Sequence, residues 1–337
     1  MIEEKITTAD FMKGDIDDTL RPQNFVEFVG QDKVKENIKV FVEASKIRKV
    51  PLDHTILYGP PGLGKTTLAR IIANELGRTI KITSAPAVEK QGDLMAILTS
   101  LEEGDILFID EIHRLKKVLE EVLYSAMEDF KVDIIIGEGT GARTLRITLP
   151  RFTLIGATTR IGSITGPLRS RFGIIERLDY YDVESLGKIV ERSAEILSIA
   201  INSEAVQEIA KRARGTPRIA NRLLKRVSDF GIVQNKQIID REFADYALKK
   251  LEVDEKGLDA MDRKILKVII ENYSGGPVGI TAIAAAVSEE VETLEDVYEP
   301  YLIQQGFINR SPRGRIASQK SFEHLGYEYK NGEISLF

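Results

Sequence analysis

The sequence contains no cysteine, no tryptophan and only three histidines. Without thiols there is neither a disulfide nor a thiolate metal site, and histidines at 54, 113 and 324 have no zinc-ligand spacing. No 18-residue apolar segment occurs and no apolar run opens the chain, so membrane insertion and secretion are not expected and a cytoplasmic location is. Positive charge is not in excess either. Lys and Arg number 47 against 52 Asp and Glu, a net charge of −5, which excludes a chain that coats nucleic acid everywhere but not a local basic patch. No repeat of 20 to 50 residues and no low-complexity segment stands out. With 337 residues, 43% of them hydrophobic, the chain has material for two or three cored domains.

What is present begins with GPPGLGKTTLA at residues 59–69. Gly59, Gly64, Lys65 and Thr66 fit the pattern G-x-x-x-x-G-K-[ST], a loop whose backbone N–H groups turn inward on phosphate at a helix N-terminus. Lys65 is placed to reach the β- and γ-phosphates, and the hydroxyl of Thr66 to hold Mg²⁺. The context agrees: apolar residues 54–58 read as a strand before the loop, and TTLARIIANEL as a helix after it. The partner motif is ILFIDEIH at 106–113, a buried strand ending in Asp110 and Glu111. Asp110 at the strand end suits a metal held through water, and Glu111 suits a base for an attacking water. Together these predict binding and hydrolysis of ATP.

Around the two motifs, residues 54–160 alternate strand and helix, which predicts an α/β doubly wound parallel sheet with ligands at the strand C-terminal ends. Residues 1–20, with six acidic side chains, read as a loose arm. An extended stretch with Phe25, Phe28 and Val29 follows, then a helix from Gln31 with Val34, Ile38, Phe41 and Val42 on its apolar face. This segment either covers the adenine or merely leads in. Residues 132–152 read as a β-hairpin inserted in the domain. Its consecutive Ile134, Ile135 and Ile136 cannot all face one side, so a docking surface is expected there. The strand FTLIGATTR ends in Thr158 and Thr159, where a γ-phosphate would lie. Arg169 and Arg171 follow on a short helix; in an oligomeric ATPase such a pair suits an arginine finger.

The large domain is thus expected over 21–182. A small helical domain is expected over 183–255, with N-caps at Asp182, Ser203 and Asp240 and with Arg218 in the turn GTPRIAN. Residues 252–259 read as a linker. The remainder, 256–337, reads as three helices and a two-stranded wing, a winged helix. Its third helical region carries Glu289, Glu290, Glu292, Glu295, Asp296 and Glu299, which a phosphate backbone would repel. The wing carries Arg310, Arg313, Arg315 and Lys320 with no acidic residue between 301 and 320. Contact with the DNA backbone through the wing, with little base readout, is the expectation.

With these parts assembled, the chain resembles AAA+ ATPases and, within them, the RuvB family of Holliday junction branch-migration motors. The resemblance rests on LRPQNFVEFVGQ, GPPGLGKTTLA, LTSLEEGDILFIDEIHRL, IGEGTGARTLRITLPRFTLIGATTR, PLRSRFGI, RGTPRIANRLLKRV, DRKILKVIIENYSGGPVG and SPRGR, in family order from about residue 20 to 320. It implies a homohexameric ring that translocates duplex DNA at Holliday junctions during recombination and repair. In that ring Lys65, Thr66, Asp110 and Glu111 keep the roles above. Thr159 is the γ-phosphate sensor and Arg218 the lid's sensor arginine. Arg171 is a finger supplied in trans, with Arg169 as a second contact. Leu20, Arg21 and Tyr181 line the adenine pocket, and Gly62, Leu63, Gly64 and Thr67 belong to the phosphate site. The hairpin over 132–149 docks on RuvA, and RuvC joins in a resolving complex. Thr140-Gly141 and Arg151 stand where the family pattern has prolines, and Ser311 where it has threonine. Competing readings are a clamp loader or protein remodeller of the same fold, an ATP-switched initiator, and a small-molecule kinase. The first needs no basic wing, the second wants a basic third helix, and the third needs no Asp-Glu pair.

Overall fold

The structure is a computed structural model that describes residues 19–136 and 143–329, the side chains of residues 134–136, 143 and 144 excepted. It divides into two compact units at residues 181/182. Of the expected N-terminal arm, only Thr19 and Leu20 fall within the described residues.

In the first unit α1 (Asp32–Arg48) precedes β1 (Thr55–Tyr58), α2 (Lys65–Leu76), β2 (Ile80–Ser84) and α3 (Gln91–Thr99). Then come β3 (Ile106–Asp110), α4 (Lys117–Glu128), β4 (Lys131–Ile136), β5 (Arg143–Thr148), β6 (Thr153–Thr158), the single turn α5 (Gly166–Arg169) and β7 (Ile174–Arg177). Five strands form one parallel sheet in the order β2-β3-β6-β1-β7. Every residue of β6 is buried, as befits a central strand covered on both faces, and the strand reads as a near-continuous apolar run. Its last residue, Thr158, pairs in register with Tyr58, so β6 ends level with the strand that feeds the phosphate loop.

Helices α3 and α4 pack Leu94, Leu98, Leu119 and Leu123 against Leu107, Ile109 and Leu154 of the sheet, all fully buried. Each such side chain contributes roughly 1.5–3 kcal/mol. The expected apolar face of α1 holds at Val34, Ile38 and Val42, but Phe41 stands 37% exposed and Ser45 takes the buried place. The expected hairpin is present as the antiparallel pair β4–β5. Its tip, including Thr140-Gly141, and the side chains of Ile134, Ile135 and Ile136 lie outside the described residues.

The second unit begins with α6 (Val183–Ile196), α7 (Ser203–Arg212), α8 (Pro217–Val233) and α9 (Arg241–Lys250). Asp182 and Asp240 are N-caps, accepting from the N–H groups of Ser185 and Phe243. The cap of α7 is Asn202, which accepts from Ala205 at 2.9 Å, and Ser203 is the first helical residue rather than the cap. Both residue types cap well, and the one-position difference is settled by the extended backbone at Asn202.

Residues 252–259, expected as a linker, form a closed turn. Asp254 accepts from the N–H groups of Lys256 and Leu258, and Leu258 is fully buried. Beyond it lie α10 (Ala260–Tyr273), α11 (Ile280–Val287) and a third helical stretch. That stretch starts as α12 (Val291–Thr293), widens into a π turn at Leu294–Tyr298 and ends as α13 (Glu299–Gln304). Pro300 has no N–H to give to the preceding turn, which accounts for the widening at that place. A wing of β8 (Ile308–Ser311) and β9 (Gly314–Ala317), then α14 (Gln319–Leu325), complete the expected winged helix.

Glu299, read from sequence as part of an acidic face, is 3% exposed. Its carboxylate accepts from Arg310 Nε and Nη2 at 2.9 and 2.6 Å and from Arg315 Nε and Nη2 at 2.8 and 3.0 Å. Burial opposes its charge, but the bonds from the two arginines outweigh burial and hold the carboxyl below its ordinary range. A depressed carboxylate contributes stability that is present above its unfolded pKa, about 4.3, and is lost as pH falls through the folded value. Glu299→Gln should therefore cost about 1–3 kcal/mol at pH 7, with the gap to the unsubstituted protein narrowing below about pH 4.3. Thermal melts of both proteins across that range check it; a gap independent of pH would deny the carboxylate its role.

Candidate nucleotide site and nucleic-acid interface

The loop between β1 and α2 can form only because of its glycines. Gly59 has φ +141°, and a Cβ there would stand 2.2 Å from the carbonyl oxygen of Leu178. Gly64, at φ +98°, caps α2 in a conformation costly for other residues and lies against the ring of Phe28. The loop therefore exposes N–H groups at a helix N-terminus, where an anion is favoured. Lys65 is 7% exposed, and its ammonium donates to the carbonyls of Gly59 and Pro60 at 2.8 and 2.9 Å, so it lies along the loop. Leu63 is fully buried; Gly62, Thr66 and Thr67 are half-buried around it.

Tyr181 is 8% exposed and donates its hydroxyl to Leu63 O at 3.2 Å, tying it to the loop. Burial pushes its phenol upward, so it stays neutral. Leu20 is buried and Arg21 half-buried in this unit. Phe28 reaches the loop from the N-terminal stretch, so that stretch does touch the site.

Strand β3 delivers Asp110 and Glu111. Asp110 accepts from the N–H of Glu111, and Glu111 has φ +51°, left-handed backbone that is unfavourable for a glutamate. A residue that the sequence reading missed sits between the strand ends. His113 has a side chain 7% exposed, with Nδ1 3.3 Å from Glu111 Oε2 and 2.9 Å from Thr158 Oγ1. Its place two residues after Glu111 was the available signal, but only the fold shows the reach to Thr158. Thr158 is also engaged by the N–H of Arg160. Thr159 differs: its hydroxyl is buried with no hydrogen-bond partner among the described residues. A buried unpaired hydroxyl is costly unless something else pairs with it, so Thr159 is the threonine suited to a ligand.

For a magnesium ion the donors fit. Thr66 and Asp110 offer a hydroxyl and one carboxylate, and no group of three or more acidic, His or Cys side chains that could hold a metal occurs among the described residues. That suits a cation that keeps water and takes phosphate oxygens, rather than one caged by protein.

Arg171 is held in place by its own unit. Its guanidinium donates to Pro167 O and to Glu128 at 2.7 and 2.8 Å, and lies 4.7 Å over the ring of Tyr124. Arg169 is exposed. In the second unit Thr216 and Pro217 start α8, and Arg218 stands exposed in its first turn. On the wing Arg313 is exposed at the turn, Arg310 has a side chain 56% exposed, and Arg315 only 15%. Arg315 is thus spent on Glu299 and Glu295, while Arg313 and the outer side of Arg310 face outward.

The chain matches three family profiles in succession: the Holliday junction DNA helicase RuvB P-loop domain over residues 20–178, the RuvB AAA lid domain over 181–254 and the RuvB C-terminal winged helix domain over 255–326. Among solved structures it is similar to the Thermotoga maritima RuvB Holliday junction branch migration motor, at 52% identity and a TM-score of 0.85, covering 93% of this chain and 100% of that one. A single-substitution variant of Thermotoga maritima RuvB gives 52% identity and 0.87, covering 92% and 99%.

Because the hydroxyl of Thr159 has no partner among the described residues, Thr159→Val should leave folding stability unchanged or slightly raised, by about 0.5–1 kcal/mol at most. ATP hydrolysis should fall at least about tenfold while nucleotide binding stays. Calorimetry and a turnover assay check this, and unchanged turnover would remove Thr159 from the site.

Proposed function

The chain belongs to the RuvB family of Holliday junction DNA helicases, and from that premise we propose how its residues perform ATP-driven branch migration. It is a P-loop ATPase and a motor of Holliday junction branch migration. In our reading residues 21–182 are the ATPase domain, 183–255 the lid and 256–337 the winged helix.

The loop N–H groups from Gly62 to Thr67, with Lys65, hold the phosphates of ATP. Thr66 and Asp110 would hold Mg²⁺, which when bound would offset the charge that builds on the phosphate oxygens. Glu111 takes the proton of the water that attacks the γ-phosphorus, and the hydroxyl of Thr159 donates to the γ-phosphate. The observation that carries this reading is that hydroxyl, buried without a partner among the described residues at the end of a strand that pairs with the one entering the phosphate loop.

Arg171, already aimed by Tyr124 and Glu128, serves the site of a neighbouring subunit in a homohexamer, and Arg169 supports it. Leu20, Arg21 and Tyr181 enclose the adenine, and Arg218 senses the bound nucleotide. The wing meets the duplex backbone through Arg313 and Arg310, while Arg315 chiefly holds the wing to the third helical stretch. The hairpin around 132–149, with Ile134, Ile135 and Ile136, docks on RuvA, and RuvC joins the complex. The protein works in the cytoplasm.

Dissociation of a synthetic four-way junction should require ATP and a RuvA protein, and Lys65→Ala should abolish it. ATP hydrolysis with the junction left intact would refute the substrate. Arg171→Ala should keep ATP binding and lose about 10³-fold or more in turnover. Mixing it with Lys65→Ala subunits should restore part of that turnover, and no recovery in mixed rings would refute a finger acting across subunits.

A further inference from the structure

Four residues before Arg218, the chain turns on Arg214 and Gly215, both with positive φ, +56° and +69°. Arg214 is 7% exposed, yet it is an arginine at the end of the lid. Its guanidinium forks onto Asp262 of α10, with Nη1–Oδ2 at 2.9 Å and Nη2–Oδ1 at 3.2 Å, and reaches Asp259 at 3.4 Å. Its other face lies 4.4 Å from the ring centre of Tyr301 in α13. Asp262 is fully buried and takes part with Asp259 in the capping box that starts α10. One side chain from the lid therefore grips two helices of the winged helix at once.

The path continues. Tyr301 donates to Lys256 O at 2.6 Å, and two residues before it in α13 stands Glu299, which holds Arg310 and Arg315 of the wing. Further ties run alongside: His324 to Asp254 at 2.9 Å, and Arg263 to Glu252 O at 2.9 Å. A buried ion pair is a poor source of stability, since an apolar contact of equal volume does as well. What it supplies is a single geometry, because any other arrangement leaves a charge buried and unpaired. A rigid connection is what a machine needs between the place where nucleotide is sensed and the place where DNA is held.

We propose that Arg214 is a positioning residue that locks lid and winged helix into one lever, carrying a displacement begun at Arg218 undiminished to the wing. This rests on the assignments of Arg218 to nucleotide and of the wing to DNA.

The absence of cysteine makes the lever directly measurable. Spin labels on Glu204→Cys in α7 and Lys267→Cys in α10, both exposed positions, report the distance between lid and winged helix in the full-length protein. With ADP and with a non-hydrolysable ATP analogue the distance should be single and the same. A distance that changes with nucleotide would overturn the lever. Burial raises the Asp262 carboxyl to about 7, so the labels are read above that pH, where Asp262→Asn keeps the shape and removes the charge; it should broaden that distance, and an unbroadened distribution would overturn the role of the ion pair. Where melts show that this variant fails to fold, Arg214→Lys, which keeps the charge but loses the fork and the stacking, takes its place.

In solution, ATP turnover and duplex binding should stay within about threefold of the unsubstituted protein, while junctions dissociated per ATP fall at least about tenfold. Dissociation falling only in proportion to turnover, or not at all, would equally overturn the proposal. An unsubstituted protein that moved no junction would instead strike at the assigned substrate, and the label distances would still decide the lever.

Discussion

Strand β6 bonds to β3 on one side and β1 on the other, and the chemistry of the first unit depends on that insertion. Because the strands are parallel, their C-terminal ends face one way, and the loops leaving them are neighbours. The phosphate loop leaves β1, Asp110 and Glu111 leave β3, and Thr158 and Thr159 leave β6 between them. His113 spans the gap, with one nitrogen near both Glu111 and Thr158. Sheet order thus turns three separate pieces of sequence into one group, and the apolar residues of β6 serve function only by holding that order.

Much of this is legible in the sequence. The phosphate loop is a local pattern in which glycines, lysine and threonine are all within eight residues, so spacing alone reveals it. Strand β3 announces itself as four apolar residues closing on two acids. Strand β7 does not: IIER is four residues long, lies at the sheet edge with Ile175 exposed, and carries two charges. The cap at Asn202 and the exposure of Phe41 are matters of one position, decided by backbone angle and helix phase.

The wing shows a deeper reason why sequence falls short. Charge signs along the chain are visible, but their pairing is not, since Glu299 meets Arg310 and Arg315 across 11 and 16 residues. A run of acids invites reading as a solvated face, yet one of them is almost fully buried beneath the very arginines expected to bind DNA. The turn over 252–259 hides its structure in the same way. Its Asp254 and Gly257 suggest looseness, while its carbonyl at Lys256 and the side chain of Asp254 are fixed by partners 45 and 70 residues distant.

Glu299 also bears on how firmly a moving protein should hold its track. Glu299 holds both Arg310 and Arg315 and Glu295 shares Arg315, so the pair brings little net positive charge to the backbone that the proposed reading sets against the wing, and fewer condensed counterions are released there. For a static binder that would be a defect; for a molecule that must let go as often as it takes hold, it lowers the drag on every advance.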